Sequence, residues 1–151
     1  MELHDLNDIY RDPILEHCRA PRNHDKLEKF QIEATGVNPF CGDEIRLQIK
    51  LNEDGRVSKV GLQSVGCSIN IASGSILTET IHDKNLTELL DIFQSVVVMT
   101  QGDTHESNQL KSLGDATALY GVRKSPIRIK CALLSWNTMK EGVEKFQMDS
   151  K

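Results

Sequence analysis

Aromatic residues are scarce in this chain, making up 5% of its 151 residues, and there are only four prolines. A core must therefore come from aliphatic side chains. Long apolar stretches are also missing: runs such as Val96-Val97-Val98-Met99 stop at four residues, far short of the ~20 a membrane-spanning helix needs. Glu2, Asp5, Asp8, Arg11, Asp12 and Glu16 break up the first thirty residues, so neither a secretory leader nor a membrane span is expected. Lys and Arg are scattered, and the net charge is -4. Without a basic stripe, no nucleic-acid partner is expected. Repeats, low-complexity tracts and linkers are absent, as are a nucleophile elbow, a Gly-rich phosphate loop, and short His-x-x-x-His or Cys-x-x-Cys pairs. Serine-triad hydrolysis, P-loop chemistry and zinc-finger folding lose their usual signatures. Only four cysteines occur; in a chain with no secretory signal they read as thiols of a reducing, cytoplasmic compartment rather than two disulfides.

What is present predicts one α+β domain over residues 1–151, large enough to bury roughly 70% of its extended surface. Leu6, Ile9, Tyr10, Ile14 and Cys18 recur at helical spacing until Pro21-Arg22-Asn23, with Pro13 a weak point. The period then shortens to two. Strands are expected at Gln31–Val37, Glu44–Leu51 and Arg56–Val65, with Asn52-Glu53-Asp54-Gly55 as a hairpin connection. A helix follows over Ser68–His82, where Gly74 calls for a close packing contact. Asn85 caps the next helix, with Glu88 three residues on and Gln101-Gly102 at its end. Thr100 to Leu113 is polar and carries no clear pattern. Ser125-Pro126 starts a last helix bearing Ala132, Leu133, Trp136, Met139, Val143 and Phe146. The architecture is a small antiparallel three-stranded sheet covered on one face by several helices.

Cys41, Asp43, Cys67 and Cys131 carry the chemistry. Three soft sulfurs and one carboxylate oxygen suffice for a tetrahedral zinc shell. Gly42 lets Cys41 and Asp43 converge from a turn. Cys67 opens a helix, where the dipole favours a thiolate, and Cys131 lies in the first turns of the last helix. Arg128 shares a helical face with Cys131 and can offset anionic charge, whereas Lys130 points elsewhere. The same residues admit a plainer account, with Cys67 and Cys131 as small buried hydrophobes, Cys41 in a loop and Asp43 forming a turn. Cys18 falls on an apolar stripe with Ile14. The five histidines His4, His17, His24, His82 and His105 have no ligand spacing; His105, in the polar segment, comes nearest to a candidate. Asp103, Glu106 and Asp115 are expected in solvent.

At these positions the chain resembles the IscU-like iron-sulfur assembly family and, within it, the SufU-type zinc-dependent sulfurtransferases. The resemblance rests on Tyr10, Ile14, His17 and Pro21-Arg22-Asn23; on Asn38-Pro39-Phe40-Cys41-Gly42-Asp43; on Gly66-Cys67-Ser68-Ile69; and on Leu119-Tyr120-Gly121-Val122-Arg123 and Arg128-Ile129-Lys130-Cys131-Ala132 with Trp136. Cluster scaffolds of the IscU branch carry His before the third cysteine and a Leu-Pro-Pro-Val-Lys docking motif. Lys130 and Ser125-Pro126-Ile127-Arg128 stand in those places here, and the long segment between Cys67 and Cys131 resembles the SufU insertion. The resemblance implies zinc on Cys41, Asp43, Cys67 and Cys131, and a pyridoxal-phosphate-dependent cysteine desulfurase of the SufS type as partner. It implies that a desulfurase histidine displaces Cys41, which accepts persulfide sulfur for downstream iron-sulfur assembly proteins, with Arg128 assisting. The alternative it carries is a non-enzymatic scaffold that builds a [2Fe-2S] cluster on the same cysteines.

Overall fold

The computed structural model describes residues 12–39, 41–101, 113–122 and 124–149. Leu6, Ile9 and Tyr10 of the expected first helix, and most of the Thr100–Leu113 segment with His105, Asp103 and Glu106, lie outside the described residues. Helix α1, Asp12–Arg19, holds Pro13 in its first turn, where a missing N–H costs nothing. The strands follow as β1 (Ile32–Asn38), β2 (Asp43–Leu51) and β3 (Val57–Val65), antiparallel and in the order β1-β2-β3. Then come α2 (Ser68–Thr80), α3 (Leu86–Thr100), a 3-10 helix over Gly114–Val122 that periodicity does not predict, and α4 (Pro126–Asp149).

The inner face of the sheet is set by alternation. Ile45, Leu47 and Ile49 of β2 point into the core, where they meet Ile69, Ile76 and Leu77 of α2 and Trp136 and Met139 of α4, all buried. Helix α4 lies along β1 and α2, while α2 packs on β3. Trp136 is fully buried and donates from Nε1 to Ser73 Oγ at 2.9 Å; Ser73 in turn donates to the Ala132 carbonyl at 2.5 Å. This relay satisfies the indole and locks α2 to α4. At Gly74, a Cβ would run into Leu62 Cδ2 of β3, so the glycine admits the close helix-to-sheet contact its position demands.

The outer face of the sheet is not bare. The segment after α1 runs along β3: Leu62 N–H donates to the Asn23 carbonyl at 2.8 Å, and Gln63 Nε2 to that of His24 at 3.0 Å. Gln48, outward-facing on β2, is consequently buried, with its Oε1 accepting from Leu27 N–H at 2.8 Å.

Several boundaries differ from the periodic pattern by a residue or two. Asn38 and Asp43 belong to the ladder as the last β1–β2 pair instead of to the turn, which shortens the connection and brings Cys41 tight against the strand ends. Arg56 forms an isolated bridge to Asn85, so β3 begins one residue later. The capping box at Asn85 and Glu88 is present as expected, with reciprocal bonds of 2.8 and 3.1 Å. Among the described residues, no helix is long and apolar enough to cross a membrane.

Candidate metal centre

The centre forms where β1 and β3 end, β2 and α2 begin, and the first turns of α4 come close. The turn after β1 closes with a Cys41 N–H to Asn38 carbonyl bond of 3.3 Å, and Gly42 adopts φ +67°, which returns the chain to Asp43 at the start of β2. Gly66, just after β3, has φ +133°, and a Cβ there would collide with Asp43 itself. Only glycine lets the two strand ends close around the carboxylate. Cys67 is then the N-cap of α2, its sulfur accepting from Asn70 N–H at 3.5 Å. Cys131, the sixth residue of α4, is fully buried.

Asp43 is the hub. It is 1% exposed, and its Oδ1 accepts the Cys67 N–H at 2.8 Å, which places the carboxylate on an open helix N-terminus. Its Oδ2 lies 3.8 Å from Cys67 Sγ and 3.4 Å from Asn38 Nδ2. Cys41 Sγ and Cys131 Sγ are 3.1 Å apart, well beyond the ~2.05 Å of a disulfide; all four cysteines of the chain are free. Donor atoms of Cys41, Asp43 and Cys131 fall within 4.8 Å of one another. Cys67 borders this trio through Asp43 Oδ2 and through contact with Cys131.

The donor set is crowded with groups that resist ionising together. Burial first, then hydrogen bonds with the Cys41 and Cys67 thiols, the charge on Cys67 and a hydrogen bond with Asp43 push the Cys131 thiol far above its usual range. A divalent cation reverses that balance, because its field favours thiolates over thiols. Three sulfurs and a carboxylate at these separations suit zinc, for which tetrahedral neighbours at ~2.3 Å bonds stand about 3.8 Å apart. The residues fit the group on chemistry and on scale.

Other sequence candidates fall elsewhere. Arg128 is half-buried one turn before Cys131 and makes no ion pair or hydrogen bond among the described residues. Cys18 packs half-buried against the core, as its stripe predicts. Asn38 was not legible as a participant: its Nδ2 faces both Asp43 Oδ2 and, at 3.8 Å, Cys131 Sγ. Its place beside the turn was the only signal. Exposed Val37, Val65 and Ile127 lie within four residues of Cys41, Cys67 and Cys131 respectively, and Val37 and Val65 flank Glu44 in one cross-strand row.

Asp115 is not simply solvated. With Glu79 it meets the buried imidazole of His17.

The family model of the NifU-like N-terminal domain matches residues 9–151. The chain belongs to this NifU-like family. Its relatives within it include the zinc-dependent sulfurtransferase SufU of Bacillus subtilis, 40% identical over 140 residues that cover 93% of this chain and 92% of the relative. The iron-sulfur cluster assembly scaffold protein IscU of Streptococcus pyogenes is 36% identical over 146 residues, covering 96% and 89%. Among solved structures, the FiSufU protein of Fervidobacterium islandicum superposes with a TM-score of 0.81 at 28% identity, covering 91% of this chain and 98% of that one. The open three-stranded antiparallel sheet with helices over it is the fold these NifU-like relatives share.

Proposed function

We propose that this chain is a zinc-dependent sulfurtransferase of iron-sulfur cluster assembly, acting in the cytosol as one unit over residues 1–151. Its zinc would be held by Cys41, Asp43, Cys67 and Cys131. The observation that carries the reading is the convergence of those donors at one end of the sheet, with the buried Asp43 carboxylate fixed on the Cys67 N–H. The relationship to the Bacillus SufU supports it from outside. When bound, zinc would hold the thiols ionised and stiffen the strand ends.

Cys41 is the proposed sulfur acceptor. It sits on a turn and is half-buried, whereas Cys131 is fully enclosed. Its thiolate would attack the outer sulfur of a persulfide on a pyridoxal-phosphate-dependent cysteine desulfurase of the SufS type. A new sulfur–sulfur bond forms on Cys41, the old one breaks, and the desulfurase cysteine leaves as thiolate. Arg128, in no ion pair among the described residues, would meet the partner or the leaving thiolate, and the exposed Val37, Val65 and Ile127 would give that partner apolar contact. Delivery then runs to downstream iron-sulfur assembly proteins.

The deciding experiment measures alanine production by the partner desulfurase together with zinc content of the aerobically purified protein. About one equivalent of zinc and a large rate increase are expected, with Cys41→Ala abolishing the increase. Full stimulation by that variant removes Cys41 as acceptor.

Relatives named as IscU scaffolds favour a second reading, assembly of a [2Fe-2S] cluster on the same cysteines. Anaerobic reconstitution separates the two: a stable coloured cluster that transfers intact to an apoprotein supports the scaffold.

A further inference from the structure

A second group of donors lies at the other end of α2. His17 of α1 is fully buried, and its Nε2 stands 3.1 Å from Asp115 Oδ2 on the 3-10 helix and 3.5 Å from Glu79 Oε1 on α2. Both carboxylates are about half-exposed, at 56% and 49%. We propose that His17, Glu79 and Asp115 form a second, solvent-accessible site for a first-row divalent cation, distinct from the cysteine centre and built from nitrogen and oxygen donors.

Three observations carry this. The first is spacing. Ligands at bonds of 2.0–2.1 Å stand about 3.4 Å apart in a tetrahedron and about 2.9 Å in an octahedron, and the two distances from Nε2 fall at this scale. The second is charge. Neutral His17 with two carboxylates totals -2, and no Lys or Arg among the described residues pairs with either acid. Protonating the imidazole offsets half of that; a divalent ion offsets all of it.

The third is the support behind the ring. His17 Nδ1 lies 2.7 Å from Ser75 Oγ, which also accepts the Arg22 N–H at 2.8 Å. A hydroxyl oxygen can accept twice, so Ser75 can receive both N–H groups and leave Nε2 with its lone pair toward the carboxylates. A metal-ligating histidine commonly has its second nitrogen anchored in this way. Burial fixes the ring, and the exposed carboxylates leave room for an ion to enter with its remaining waters. Imidazole with carboxylates suits zinc, manganese or ferrous iron rather than a thiophilic ion alone.

The probe is Mn²⁺, titrated into the purified, zinc-analysed full chain while amide signals are followed by NMR. Saturable broadening centred on Ser75, Glu79 and Ala116 is expected. Glu79→Gln and Asp115→Asn, at half-exposed positions where folding tolerates the swap, should each weaken Mn²⁺ by more than about tenfold, and Ser75→Ala by about tenfold. No saturable broadening at those amides, broadening centred instead on Gly42 and Gly66, or unchanged affinity in both acid variants would overturn the site. Co²⁺ keeps this result separate from the cysteine centre: thiolate ligation gives intense sulfur-to-metal charge transfer, and the three variants should leave that band intact.

Discussion

The two ends of α2 solve the same problem, gathering donors from distant sequence, by opposite means. At the N-terminal end Cys67, Asp43, Cys41 and Cys131 converge where backbone geometry is tightly constrained, with a capped helix start, two positive-φ glycines and a ladder pair between Asn38 and Asp43. Toward the C-terminal end, about 18 Å away at 1.5 Å per residue, His17, Glu79 and Asp115 converge through side chains alone, on three helices with no shared turn. The first cluster is soft, with Asp43 and Cys131 buried and Cys41 and Cys67 half-buried; the second is half-wet and built from nitrogen and oxygen. Backbone-built sites tolerate little change, whereas side-chain-built sites can be altered one residue at a time.

The sharpest way to break this contrast is at Asp43. It accepts the Cys67 N–H and fills the space that Gly66 leaves open, so Asp43→Ala should remove a donor and unsettle the N-cap of α2 at once. Zinc affinity, read by competition with a chelating dye, should fall by more than about tenfold, and stability should fall with it because a buried acceptor of a helix N–H is lost. Unchanged zinc affinity would remove Asp43 from the proposed zinc shell.

Arg128→Ala should separate partner contact from metal holding. The guanidinium has no ion pair to lose among the described residues, so zinc content and thermal midpoint should stay as they are. Stimulation of the desulfurase should drop several-fold, through a higher concentration of this protein needed for half-maximal effect. Wild-type stimulation would leave the residue a bystander on the Cys131 helix.

A third change tests whether α2 and its neighbours transmit damage to either cluster. Asn85 caps α3 with both halves of a capping box and belongs to neither donor group. Asn85→Ala should cost about 1 kcal/mol, lowering the midpoint by roughly 2–4 °C for a chain of this size. Zinc content should be unmoved.

The contrast between the clusters also explains what could be read without coordinates. The cysteine centre was legible because its constraints are local and leave marks: Gly42 between two donors, Gly66 before a third, Pro126 fixing the helix that carries the fourth. The strands and the helices Ser68–Thr80, Leu86–Thr100 and Pro126–Asp149 were legible for the same reason, since period and caps are short-range signals. The His17 cluster left none. Its members are 62 and 98 positions from His17, the nearest local cue being an unremarkable Glu on a polar helix face. The 3-10 helix Gly114–Val122 was hidden because three residues per turn eclipse its side chains and give no apolar stripe. Burial of Gln48 was hidden because a segment with no regular period crosses the outer face of the sheet.

That outer face supplies the smallest effect and a control remote from both clusters. Glu33 on β1 accepts from Gln48 Nε2 at 2.9 Å and from Arg46 Nε at 3.0 Å, and these bonds, with the Arg46 charge, hold its carboxyl below the usual range despite slight opposing desolvation. A carboxyl whose folded-state value is depressed binds its proton more readily when unfolded, so the stabilisation is full above the unfolded value of about 4.3 and fades as pH falls toward the folded one. Glu33→Gln should therefore lower neutral-pH stability slightly and leave stability at the acid end nearly unchanged, flattening the acid limb, and the effect is small because the group is exposed and water screens the pair. Thermal midpoints taken between pH 3 and pH 7 give the difference directly. An acid limb identical in wild type and variant would mean that the Arg46 and Gln48 bonds exist in the unfolded chain as often as on the folded sheet.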